Sequence, residues 1–170
     1  MWRCCWLLVG LVALGASGCA GYRLGPVNGV AAGEKSVQVN PFTNQTLEPH
    51  LADEVTQQLR KELQRDGTYR LASHDDGNIV VNGSIIHYQR LEVSLSANDV
   101  LTVRDYQLEM RAQVTALDRS SGKKILDQQV IGRTLIRVTT DITSTERQAL
   151  PLLAADLARN VTTLLAEGNW

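Results

Sequence analysis

His50, His74 and His87 are the histidines of this chain, and Cys4, Cys5 and Cys19 its cysteines. A metal centre or an acid–base pair would need several such groups, or carboxylates, held close together. His74-Asp75-Asp76 is the one run that could be drawn that way. It lies in a polar stretch between two strand patterns and reads as a solvated loop. His87 falls on the inward parity of a strand pattern and reads as a core or edge histidine. No G-x-S-x-G, H-E-x-x-H, P-loop or dinucleotide fingerprint occurs. The 18 acidic residues show no pair at a telling spacing. The residues therefore predict no catalytic set, no metal and no cofactor, and hence a protein that is not an enzyme.

Cys19 has a different chemistry. Arg3 carries one positive charge near the start, residues 6–14 are almost wholly apolar, and Ala16, Ser17 and Gly18 are small. That is the order of a secretory signal, and its apolar run falls short of the roughly 20 residues a membrane-spanning helix needs. Ala16-Ser17-Gly18-Cys19 resembles the bacterial lipobox, departing from it at Ala16, where leucine is usual. The alternative is an ordinary cleavage site beside a chance cysteine. Cys4 and Cys5 leave with such a leader, so Cys19 remains alone and no internal disulfide can form. Acylation uses that lone sulfur, and stable anchoring takes more than one acyl chain. Residues 1–18 are expected to be a signal peptide and Cys19 the lipidated N-terminus. Ala20, in the commonest sorting rule, favours the outer membrane.

What remains, residues 19–170, is one domain's worth of chain, with 19–34 as anchor and spacer. A net charge of −1 gives no bulk attraction to nucleic acid. Aromatics make up 5% of the chain, so Leu, Val and Ile must fill the core. Val37 and Val39 share one face of an alternating run that turns at Pro41. Leu51, Val55, Leu59 and Leu63 form one helical stripe, with Pro49 expected in its first turn and Gly67 at its C-cap. A short strand over 68–73 precedes a long one, in which Val81, Ile85, Leu91 and Val93 share a parity.

The next strand alternates most regularly. Tyr106, Leu108, Met110, Ala112, Val114 and Ala116 face one way, and charged or amide residues face the other. A returning strand follows. Leu150, Leu153, Leu157, Val161 and Leu164 then mark a terminal helix. Pro151 sets either its start near Leu150 or a kink after one preceding turn. The order β-α-β-β-β-β-α predicts an α/β (α+β) two-layer sandwich, a mostly antiparallel or mixed sheet of about four strands with two helices on one face.

The other face stays open. By parity it presents Ser84, Ile86, Tyr88 and Arg90 from one strand and Arg111 from the next, with Ile131, Arg133, Leu135 and Arg137 from the last. Arg90, Arg111, Arg133 and Arg137 read in two ways. They are surface charge paired with Glu92, Glu109 and Asp127, or a contact surface for a partner or an anionic amphiphile, whose phosphates a guanidinium grips as a fork.

Gly21-Tyr22-Arg23-Leu24 closely after Cys19, the strand–turn–helix around Pro41-Phe42-Thr43-Asn44, the long strands and the leucine-striped last helix resemble the LPS-assembly lipoprotein family LptE. The resemblance runs over essentially all of residues 19–170. It implies a non-enzymatic outer-membrane lipoprotein that plugs the β-barrel translocon LptD, contacts lipopolysaccharide and assists its insertion into the outer leaflet. The implied partners are LptD, lipopolysaccharide and the membrane, through the N-terminal acyl chains. No contact residue of the family carries over by position, so the four arginines stand as the residue-based expectation. The Pro-Phe-x-Asn corner also resembles lipid-anchored activators of peptidoglycan synthases and curli-type secretion lipoproteins. Such activators usually carry a longer linker before the domain.

Overall fold

A computed structural model describes residues 33–96, 99–138 and 141–168. The elements run β1 (Ser36–Val39), β2 (Thr43–Asn44), α1 (Leu51–Asp66), β3 (Arg70–Leu71), β4 (Ile79–Ser96), β5 (Asp99–Asp118), β6 (Lys124–Arg137) and α2 (Ile142–Glu167). β4, β5 and β6 form an antiparallel meander. β1 and β2 lie parallel to β4, one beyond the other along its outer side, and β3 continues the sheet beyond β1. The strand order is β3-β1-β4-β5-β6, with β2 off that path. The expected α+β two-layer arrangement forms, and the sheet has six strands rather than about four because two-residue pieces extend it.

Each helix is held by the stripe its sequence carries. Leu51, Val55, Leu59 and Leu63 are all at most 1% exposed, and each such side chain contributes about 1.5–3 kcal/mol on burial. Gly67 caps the helix in a left-handed conformation, its N–H donating to the Leu63 carbonyl at 3.2 Å. Pro49 stands outside the helix, since His50, with φ 66, is the N-cap. α2 begins at Asp141, whose carboxylate accepts from the N–H groups of Thr143 and Ser144. It runs continuously through Pro151, two turns earlier than the leucine stripe alone indicates. The ring costs one backbone bond, to the Arg147 carbonyl. Leu165, rather than Leu164, completes its buried face.

Two glycines let the layers close. A Cβ on Gly132 would come within 2.9 Å of the Leu153 carbonyl and the Leu157 nitrogen, so α2 lies directly on β6. A Cβ on Gly83 would overlap the ring of Phe42, which fills that space instead. Phe42 is fastened in turn by its N–H, which donates to Thr56 Oγ1 on α1 at 3.0 Å. Asn44 closes the corner, accepting from the Thr46 N–H and hydroxyl and donating to the Glu48 carbonyl. The Pro-Phe-Thr-Asn motif is thus a structural fastener between sheet and first helix. Among the described residues the buried hydrophobic core runs from Val37 to Leu165.

The pairing of β4 with β5 shifts register at Ile85/His87 and again from Glu92 to Ser96, and the first shift, a β-bulge, decides which side chains face the helices. Ile85 pairs with Ala112 and His87 with Arg111, leaving Ile86 as an extra residue. One inserted residue moves every following side chain to the opposite face. Up to Ile85 the odd-numbered residues Val81 and Ile85 face the helices, as expected. Beyond it Tyr88 and Arg90 face the helices, while His87, Gln89 and Leu91 face outward, opposite Arg111, Glu109 and Gln107. Leu91 and Val93, expected inside, are 40% and 56% exposed. His87, expected inward, is exposed.

Candidate functional site

The uncovered sheet face is built in cross-strand rows. His87, Arg111 and Ile131 form one row, Gln89, Glu109 and Arg133 the next, and Leu91, Gln107 and Leu135 a third. At the end of the middle strand, Asp105 stands opposite Arg137. Three of the four predicted arginines, Arg111, Arg133 and Arg137, are therefore on this face together.

Glu109 is their hub, and the sequence reading assigned it only as one of several possible counter-ions. It is 4% exposed although it lies on the uncovered face, because guanidinium groups cover it. Arg111 donates from Nε to Glu109 Oε1 at 2.8 Å, Arg133 from Nε to Oε2 at 2.9 Å, and Gln89 Nε2 reaches Oε1 at 3.3 Å. The hydrogen bonds from Arg111 and then Arg133 hold its carboxyl below the usual carboxylate range, against the opposing effect of burial. The cluster is therefore two cations on one anion, with a net charge of +1. Among the described residues the Arg133 guanidinium bonds through Nε alone, which leaves its terminal NH2 groups for a further acceptor. A glutamate two residues before an arginine on one strand, facing an arginine on the next, is the signal that could have found this hub.

Arg137 makes a two-point contact with Asp105, at 2.7 and 3.3 Å. Beside that pair, Val93, Asp105, Leu135, Ile136 and Arg137 line a depression of about 330 Å³. Leu135 is 67% exposed, so the end of the sheet is apolar as well as charged. Asp127 pairs with Lys124 at 2.7 Å rather than with an arginine.

Arg90 belongs elsewhere. The bulge carries it to the helix side, where it donates to Glu146 of α2 at 2.8 Å and lies 5.5 Å from the centre of the Tyr106 ring. Tyr88 donates its hydroxyl to the same carboxylate. Burial first, and then that hydrogen bond, push the Tyr88 phenol well above its ordinary pKa. Parity counted straight through Ile86 put Arg90 with the other three, and the extra residue corrects it.

His74 and Asp76 are exposed in the β3–β4 loop, and Asp75 ties that loop to Gln38 and, by its carbonyl, to Arg119. Among the described residues no group of His, Cys, Asp and Glu is placed to hold a metal ion. No helix among them is long and apolar enough to cross a membrane. Cys19 and the expected signal peptide lie outside the described residues.

Solved structures share this architecture. A protein from Xanthomonas campestris superposes with a TM-score of 0.60 at 8% identity, covering 85% of this chain and 90% of its own. A hypothetical protein from Chlamydia trachomatis gives 0.58 at 12% identity, covering 80% and 96%. A minor lipoprotein from Acinetobacter baumannii gives 0.50 at 18% identity, covering 78% and 90%. At such identities the likeness shows the fold alone, a two-helix, mixed-sheet domain that also occurs in a bacterial lipoprotein. No curated protein matches the sequence. The family model of LptE, described as lipopolysaccharide-assembly, matches residues 34–165, and the chain belongs to that family. It is accordingly a lipopolysaccharide-assembly lipoprotein of the cell envelope, from a non-enzymatic family that works with the lipopolysaccharide transport machinery.

Proposed function

We propose that this chain is a lipid-anchored plug of the outer membrane, acylated at Cys19 and seated in the barrel LptD, where it assists lipopolysaccharide insertion. The family match over residues 34–165 carries the reading. The open face supports it in one respect. A plug in a polar lumen must present charge without leaving it uncompensated, and Arg111–Glu109–Arg133 and Arg137–Asp105 meet that demand. The surplus positive charge of the first cluster and the unused NH2 groups of Arg133 suit a lipid phosphate. The exposed Leu91 and Leu135 suit the acyl region beside it.

Three measurements test this. Extraction of the native protein in mild detergent is expected to bring down a large β-barrel in near-equal amount; recovery of a peptidoglycan synthase without a barrel would overturn the assignment. Cys19→Ala is expected to leave the membrane fraction with its fold intact. Replacing Arg133 and Arg137 with Gln is expected to weaken lipopolysaccharide binding, with binding by the unaltered protein falling as salt rises. Glutamine is the right substitution, because a carboxylate at position 133 would face the buried Glu109.

A further inference from the structure

The outer edges of β6 and β4 are treated differently. Along β6, α2 lends two side chains to the strand: the Arg133 N–H donates to Asp156 Oδ2 at 2.9 Å, and Asn160 Nδ2 donates to the Ile131 carbonyl at 2.8 Å. Those side chains occupy backbone groups that another strand would need. β4 is covered on its outer side by β1 over Ile79–Val81 and by β2 over Ser84–Ile85. Past Ile85 no described residue pairs with that side, although the strand continues to Ser96. The register fixes which groups are left over. Ile131 and Arg133 turn their backbone outward to α2, so Gly132 bonds to β5, and alternation across β5 aims Glu109 and Gln107 at β4. Their partners Gln89 and Leu91 bond inward, which leaves the N–H and C=O groups of Tyr88, Arg90 and Glu92 pointing away from the sheet. Such an edge is a template for a further strand.

We propose that an extended segment of the barrel partner adds to this edge as a further strand, continuing the line of β2. The inference rests on the plug reading above. A single copy seated in a lumen meets no second copy, and the wall strands of a closed barrel are already paired on both sides. The added strand must therefore come from a loop or terminal stretch of the barrel that enters the lumen. Its chemistry follows from the edge. Where β2 turns away, a cleft of about 390 Å³ opens among Thr46, Leu47, Glu48, Ile86, His87 and Tyr88. Leu47 is fully exposed beside it, so the side chain that enters the cleft is apolar. Further along, Glu92 is exposed and has no ion partner among the described residues. It calls for a lysine or arginine on the same face of the incoming strand. Main-chain bonds to Tyr88, Arg90 and Glu92 supply the attachment, and those two side chains select the segment and its register.

Residue-level amide exchange tests it, on the barrel complex extracted in mild detergent and on the unacylated chain from residue 19 onward with Cys19→Ser. The N–H groups of Tyr88, Arg90 and Glu92 are expected to exchange fast in the isolated chain and about a hundredfold more slowly in the complex. Those of Gln89 and Leu91, bonded to β5, should be slow in both. Competition for the barrel gives a second measure. Glu92→Pro deletes one outward donor and the charge but no β4–β5 bond. It is expected on the barrel in about tenfold lower amount than the unaltered chain, and Glu92→Gln, which keeps the donor, in about threefold lower amount. A barrel complex in which the three amides exchange as fast as in the isolated chain would overturn the added strand and leave the plug assignment standing. Recovery of no barrel at all would overturn the plug assignment, and the inference with it. Slow exchange of the three amides in the isolated chain, or equal recovery of Glu92→Pro and the unaltered chain, would also overturn the added strand.

Discussion

The two halves of β4, before and after Ile86, behave as different strands. The first half has neighbours on both sides and buries Val81 and Ile85 beneath the helices. The second half has, among the described residues, β5 alone, turns Tyr88 and Arg90 toward α2, and shows Leu91 and Val93 to the outside. Packing holds the first half, and the Glu146 carboxylate, accepting from Tyr88 and Arg90, helps tie the second to the helix layer. One extra residue therefore separates a stretch buried beneath the helices from one whose Leu91 and Val93 stay exposed.

Breaking the packed half should have the largest effect. Phe42→Ala empties the space over Gly83 and is expected to cost about 3–5 kcal/mol, read from denaturant unfolding. If it costs no more than a surface change, the fastener role assigned to the Pro-Phe-Thr-Asn corner is wrong. The tie across the second half should matter less. Glu146→Gln is expected to cost about 1–2 kcal/mol. It should also speed amide exchange in α2 ahead of Pro151 and leave the helix beyond it unchanged.

The turn below the packed half supplies a pH test. Hydrogen bonds from Ser120, and then from Lys35, lower Asp118 from 3.8 to about 2. Its folded pKa is depressed, so its contribution is present above the ordinary value and disappears as pH falls from 3.8 toward 2. Asp118→Asn should lower the melting temperature at neutral pH, with the gap to the unaltered protein closing across that window. A gap that stays constant in acid would show that the carboxylate's charge is irrelevant. The smallest effect belongs to the exposed end of the sheet, where Leu135→Ala should change stability by less than about 0.5 kcal/mol.

The same division marks what could be read from residues alone. The stripe of α1, the alternation of β5 from Tyr106 to Ala116 and the helix order follow from periodicity, which depends on local geometry and is written along the chain. The bulge at Ile86 is not, because Ser84-Ile85-Ile86-His87 carries no glycine or proline to announce an extra residue. Every assignment downstream of it on β4 inverted, and Arg90 went with them. Glu109 was visible as a nearby acid, but its burial arises only when Arg111 and Arg133 close over it from two strands. Such a hub is a property of register, and register depends on the bulge and the turns.

The mixed connectivity of the sheet also bears on how quickly and in what order the chain assembles. The β4–β5–β6 meander joins segments adjacent in sequence, whereas β1 must find β4, pairing Val37 with Ile79, only after α1 and β3 have been made between them. Loop-closure entropy therefore favours a transition state containing the meander and α2, with the β1–β2–α1 corner docking afterwards. Phe42→Ala is expected to leave the refolding rate nearly unchanged and to accelerate unfolding, while Gly132→Ala, at the meander–α2 contact, should slow refolding. A chevron in which Phe42→Ala shifts mainly the folding limb would reverse that order.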